Sequence, residues 1–160
     1  MSFVCQDGLH FIQTSYTSVF PSALHNRFTH SLGVFWLGNI AFDALVQNSS
    51  NKIKSLTKKD IKDTKFTFII ACLCHDLGYS PFSHTGERFY YAPKISKELT
   101  DSIPNKSHRA DVKDEKSIVG KEHEIMSALL AIRKFGNNIP DCSFFVRCII
   151  GHQFTTFVLF

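Results

Sequence analysis

The groups in this sequence best placed to do chemistry are an imidazole and a carboxylate side by side at the end of an apolar run. Within residues 66–89, FTFIIACLCHDLGYSPFSHTGERF, the hydrophobic stretch stops on His75 and Asp76. Both groups are costly to bury unless they are hydrogen-bonded or bound to a cation. The stretch reads as a helix carrying the pair in its last turn. Gly78 is able to close that helix in the left-handed conformation, and Pro81 bars its resumption. Of the 8 histidines, three more hold comparable positions: His30 and His123 in the first turns of other helices, and His84 after the proline turn. A helical bundle can bring such helix ends to one pocket, where imidazole nitrogen and carboxylate oxygen suit a divalent manganese, iron, zinc or magnesium ion. His10, His25, His108 and His152 read as histidines satisfied by ordinary hydrogen bonds.

The elements that must position these groups follow from the periodicity. From Arg27, RFTHSLGVFWLGNIAFDALVQN repeats apolar residues at helical intervals, with Thr29 or Ser31 able to cap its start. Residues 1–26 lead into it through a loop around Pro21 and Asn26, with Leu9 to Tyr16 undecided between strand and short helix. The Lys-rich stretch Asn48 to Lys65 reads as a solvated connection, opening through an N-cap pattern at Thr57–Asp60 into the Phe66 helix. Tyr90 to Gly120, with Pro93 and Pro104, reads as one long loop. Lys121 to Phe135 is helical again and is closed by Gly136-Asn137-Asn138 and Pro140. Asp141 to Phe160 is apolar and has no evident stop, which predicts an exposed Phe-rich C-terminal helix in need of a partner.

Composition narrows the class. A length of 160 residues with 44% hydrophobic content and 16 Phe suits a single core-forming domain. A net charge of +4 does not indicate a general nucleic-acid binder, yet leaves room for a local phosphate site. The 5 cysteines have no framework spacing and no leader ahead of them, which predicts buried thiols in a reducing, intracellular setting, cytoplasmic or nuclear. Cys72 and Cys74 project to different sides of a helix and do not make a zinc pair. No apolar run reaches the roughly 18 to 20 residues that crossing a bilayer requires.

Three blocks, HNRFTHSLGV at residues 25–34, CHDLGYSPFSH at 74–84 and KEHE at 121–124, resemble in order those of the HD-domain phosphohydrolase superfamily. They are most similar to its deoxynucleoside triphosphate triphosphohydrolases, the branch that joins a SAM domain to an HD domain. The resemblance implies an all-α HD fold, here a single domain over residues 1–160 that is C-terminally incomplete. It implies hydrolysis of a dNTP to the deoxynucleoside and inorganic triphosphate. By position, His30, His75 and Asp76 would bind the metal, while Arg27, Tyr79 and His84 would line the substrate phosphates. His123 would pass a proton to the departing ribose oxygen, with His84 nearby and Glu87 orienting the catalytic histidine. Pairing with further copies or with a longer relative is also implied.

The chain departs from that pattern in three places. Tyr79 stands where relatives carry a histidine, and a phenol does not titrate near neutrality. Glu87 replaces a shorter aspartate. The family's fourth ligand, an aspartate from a later helix, has no counterpart, and Asp141 is the one carboxylate after Glu124. Two other functions therefore stand beside the first: hydrolysis of a different nucleotide phosphate ester, or an inactive HD module that binds nucleotide or a full-length relative.

Overall fold

A computed structural model describes residues 27–49, 56–80, 84–112 and 120–151. The readings made for residues 1–26, Pro81, His152 and the last residues to Phe160 lie outside these. The described chain is all-α, as expected: α1 Arg27–Asn48, α2 Lys58–Cys74, α3 His84–Glu87, α4 Ala92–Ser102, α5 Lys106–Val112, α6 Glu122–Phe135 and α7 Cys142–Ile150, with a 3₁₀ turn Gly136–Asn138.

The core lies between α2, α4, α6 and α7. Phe145, Val146, Leu99, Ile103, Ala128 and Leu129 are essentially inaccessible to solvent. Helix α7 is thus a central element rather than the exposed C-terminal helix foreseen. Its buried residues Phe145, Val146, Ile149 and Ile150 recur at helical spacing, so one face meets α2 and α6. It is also stopped. Gly151 takes φ 65° and its N–H donates to the Arg147 carbonyl, a left-handed closure that glycine adopts without steric penalty. Asp141 starts the helix by accepting the Phe144 N–H at 2.9 Å.

Three boundaries differ from the sequence reading. The Lys-rich stretch is helical from Lys58: the Thr57 hydroxyl accepts the Asp60 N–H at 3.1 Å, so the anticipated cap works while the helix begins well before Phe66. Thr29 and Ser31 lie inside α1 rather than at its cap. The supposed loop from Tyr90 to Gly120 contains α4 and α5. Pro93 sits in the first turn of α4, where its missing N–H is no loss, and Ile95, Leu99 and Ile103 form one buried stripe at intervals of four. Prolines and charges hid a short amphipathic helix.

Helix α1 packs antiparallel on α2. Gly38 lies against Cys72, the Phe42 and Phe68 rings sit 5.9 Å apart, and Lys65 Nζ meets Asp43 Oδ1 at 2.6 Å. Gly38 is the one buried residue of α1. A Cβ there would approach the Cys72 sulfur to 2.7 Å, so the hydrogen side chain sets how closely the helices approach.

Candidate functional site

The antiparallel pairing brings His30, one turn into α1, against the C-terminal end of α2. His30 Nε2 lies 3.3 Å from His75 Nε2 and 3.5 Å from Asp76 Oδ2, and His75 Nε2 lies 3.2 Å from Asp76 Oδ1. One ligand atom from each residue falls within a 4.8 Å span, the single such group of three among the described residues. Donors about 2.1 Å from one small cation would stand about 3.0 to 3.4 Å from each other, depending on octahedral or tetrahedral geometry. The separation of the two imidazole nitrogens falls in that range, and the carboxylate lies close to both, at 3.2 and 3.5 Å through different oxygens. The tautomer of His75 agrees as well: its Nδ1 is 2.9 Å from the Cys72 carbonyl, which can only accept, so Nδ1 carries the hydrogen and a neutral ring turns its Nε2 lone pair to the cluster. The donor set of two imidazoles and a carboxylate fits a divalent transition ion.

Beside this cluster the other site residues form a column. The Arg27 guanidinium carbon lies 3.8 Å from the centroid of the Tyr79 ring. Tyr79 also stacks on the His123 imidazole, with centroids 4.1 Å apart and planes 23° from parallel; two groups this close to one centroid would clash on one face, so they take opposite faces. His123 Nδ1 in turn meets Glu87 Oε1 at 3.1 Å, and both side chains are about nine-tenths buried. The longer glutamate therefore reaches the histidine. Burial is the main influence raising the Tyr79 phenol above its usual range; the carboxylates of Asp76 and Glu87 add to it and Arg27 opposes it. Cluster and column are joined through one turn of backbone, where the Tyr79 N–H donates to the Asp76 carbonyl at 3.4 Å. His84 opens α3 three residues before Glu87, but its side chain lies outside the described residues.

Gly78 does a different job from the one foreseen. Its backbone is not left-handed; α2 ends in ordinary right-handed turns at His75, and Gly78 is buried against α6. A Cβ on it would lie 2.3 Å from Ser127 N and 2.6 Å from His123 O. The same contact is tied by hydrogen bonds that the sequence reading missed. Gly78 N–H donates to Ser127 Oγ at 2.8 Å, Ser127 Oγ donates to the His123 carbonyl at 2.7 Å, and the Tyr90 hydroxyl donates to the Gly78 carbonyl at 3.0 Å. Ser127 was detectable as a small polar residue in the apolar stripe of α6, one turn after His123. Asp141 is not at the cluster: it caps α7, and its Oδ1 lies 3.8 Å from His108 Nε2.

Comparison with known proteins agrees with the motif blocks. The chain is 48% identical over 66 residues to the deoxynucleoside triphosphate triphosphohydrolase SAMHD1 of Danio rerio and 44% identical over 66 residues to that of Homo sapiens. Each match takes in 41% of this chain and 10% of the relative. An uncharacterized protein of Mycoplasma genitalium, MG461, is 38% identical over 82 residues, 50% of this chain and 17% of its own length. The chain thus spans about a tenth of the length of the SAMHD1 proteins it matches. No family model and no solved structure matches it significantly. The likeness to the deoxynucleoside triphosphate triphosphohydrolases holds over that stretch.

Proposed function

We propose that this chain is part of an HD domain that hydrolyses deoxynucleoside triphosphates to the deoxynucleoside and inorganic triphosphate. The reading is carried by the convergence of His30, His75 and Asp76 from two helices, and supported by the likeness to SAMHD1 proteins. These three side chains would hold the divalent cation, which when bound supplies Lewis-acid polarisation of the phosphate oxygens. The chain's own groups do the rest. Arg27 offers a planar, permanently charged donor to the triphosphate, and His84, at the start of α3, holds a position that the family resemblance assigns to the phosphates. His123 sits with its Nδ1 3.1 Å from a Glu87 carboxylate oxygen, which leaves Nε2 as the nitrogen to donate to the 5′ oxygen. As water attacks the α-phosphorus and gives up a proton to solvent, the bond to that oxygen breaks and the His123 proton neutralises the leaving alkoxide. The deoxynucleoside and triphosphate then separate.

Incubation with manganese and each dNTP in turn, followed by phosphorus NMR, tests this. Inorganic triphosphate is the expected product. Orthophosphate or pyrophosphate would instead indicate attack at another phosphate bond, and no product from folded, metal-loaded protein would overturn the hydrolase reading.

A second reading, a nucleotide-binding module without turnover, draws on one observation. Only three donors converge among the described residues, and Asp141 is committed to capping α7. Metal content after purification separates the two: protein with no bound metal and no gain in melting temperature on adding manganese favours the module.

A further inference from the structure

The column of Arg27, Tyr79 and His123 contains a side chain whose task neither the metal cluster nor the proton transfer defines. Tyr79 is the middle plate. Its backbone is held by neighbours on both sides: Tyr79 N–H donates to the Asp76 carbonyl at 3.4 Å, and Gly78 is fixed on α6 by Ser127 and Tyr90. One face of the ring carries a guanidinium at 3.8 Å and the other an imidazole at 4.1 Å. The faces of an aromatic ring are its electron-rich surfaces, so both are suited to cations. A guanidinium laid flat on a ring gives up its π face and keeps its in-plane N–H donors for an anion.

We propose that Tyr79 is a positioning residue: its ring holds the Arg27 guanidinium and the His123 imidazole on opposite faces, so the site uses the π system of this side chain rather than its phenolic oxygen. The ring orients the phosphate-facing arginine and holds it apart from the imidazole. It also makes the two groups dependent on each other. A change that tilts the ring displaces the arginine and the histidine together, although they come from α1 and α6. The inference rests on the proposed function for the arginine's task at phosphate and adds the element that aims it.

The test compares the full chain with Tyr79→Phe and Tyr79→Leu in magnesium buffer, with inorganic triphosphate as the probe. Affinity is read by calorimetry, and the His123 Cε1 proton by NMR. A cation–π contact contributes a factor of about 2 to 30. Tyr79→Leu should therefore weaken triphosphate binding roughly tenfold, while Tyr79→Phe stays within about threefold of the parent. The ring-current shift of the His123 proton should persist in Tyr79→Phe and vanish in Tyr79→Leu. Tyr79→Met, of similar reach but without a π face, replaces the leucine variant if that one does not fold. Equal losses in the phenylalanine and leucine variants would assign the work to the hydroxyl and overturn the proposal, as would a leucine or methionine variant that binds triphosphate as tightly as the parent. Neither readout needs turnover, so failure to release triphosphate from a dNTP refutes the proposed reaction and leaves the column to be judged by binding and NMR alone.

Discussion

The two halves of the site are built on different terms. At the cluster, the side chains of His30 and His75 are 52% and 29% exposed, whereas at the column His123 and Glu87 are 6% and 10% exposed. His30 belongs to α1, a helix apolar around most of its circumference whose Phe28, Trp36, Leu37 and Leu45 are each more than half exposed. His123 belongs to α6, whose buried face is part of the core. The cluster of candidate cation donors therefore depends on how one helix docks, and the column on how the core packs. Damage to the first should empty the site and spare the fold. Damage to the second should affect both.

The first contrast to test is between His30→Ala and His123→Ala. Removing a ligand should abolish metal loading and lower triphosphate release by roughly three orders of magnitude, with little change in the melting temperature measured without metal. His123→Ala should keep its metal by elemental analysis and lose about a hundredfold or more in rate. It should also lose roughly 3 kcal/mol of stability, because the Glu87 carboxylate stays buried without its imidazole. Equal melting temperatures for the two variants would contradict the difference in burial.

Gly78→Ala comes next. The added carbon would meet the backbone of α6 at 2.3 Å, so the turn bearing Asp76 and Tyr79 must lift away. About 3 kcal/mol of stability should go by denaturant titration, with loss of metal affinity and of the Tyr79–His123 stack together. Gly38→Ala is the milder counterpart on the docking side. Its new methyl meets the Cys72 side chain rather than backbone, which predicts a loss of about 1 to 2 kcal/mol. Metal binding should weaken about tenfold while the α6–α7 core retains its amide-exchange protection.

The smallest effect is alkaline. Burial, with the nearby Cys72 and Asp141 adding to it, pushes the Cys148 thiol up to about 12 from 9.0, and burial raises Cys74 to about 11. Below pH 9 both states hold these protons. Above it the unfolded chain releases them first, so stability should fall as pH rises from about 9 toward 12. Cys148→Ala should flatten that decline in urea titrations across this pH range.

Much of this site could be read along the chain because its groups lie in short, distinctive blocks. The His75–Asp76 pair at a helix end and the first-turn histidines of α1 and α6 needed only local spacing, whereas Glu87, three residues after His84, pairs with His123 on another helix. Helix α4 was missed because its apolar stripe is three residues long and begins beside a proline, which resembles a loop until partners bury it. Gly78 was misassigned for a related reason. A glycine after a helix suggests a turn, whereas close approach to a helix 49 residues further on leaves no trace in its neighbours.

Taken by itself, the order of the residues offered helical periodicity and donors suited to a cation, while its three motif blocks carried the likeness to dNTP hydrolases that implied the all-α fold seen among the described residues. Docking in three dimensions settled the rest: which cap Asp141 forms, how Gly38 and Gly78 bring α1 and the Asp76 turn within reach of their partners, and why Tyr79 lies between an arginine and a histidine. Those contacts join residues far apart in the chain. They depend on the shapes of two packed surfaces, which local spacing does not encode.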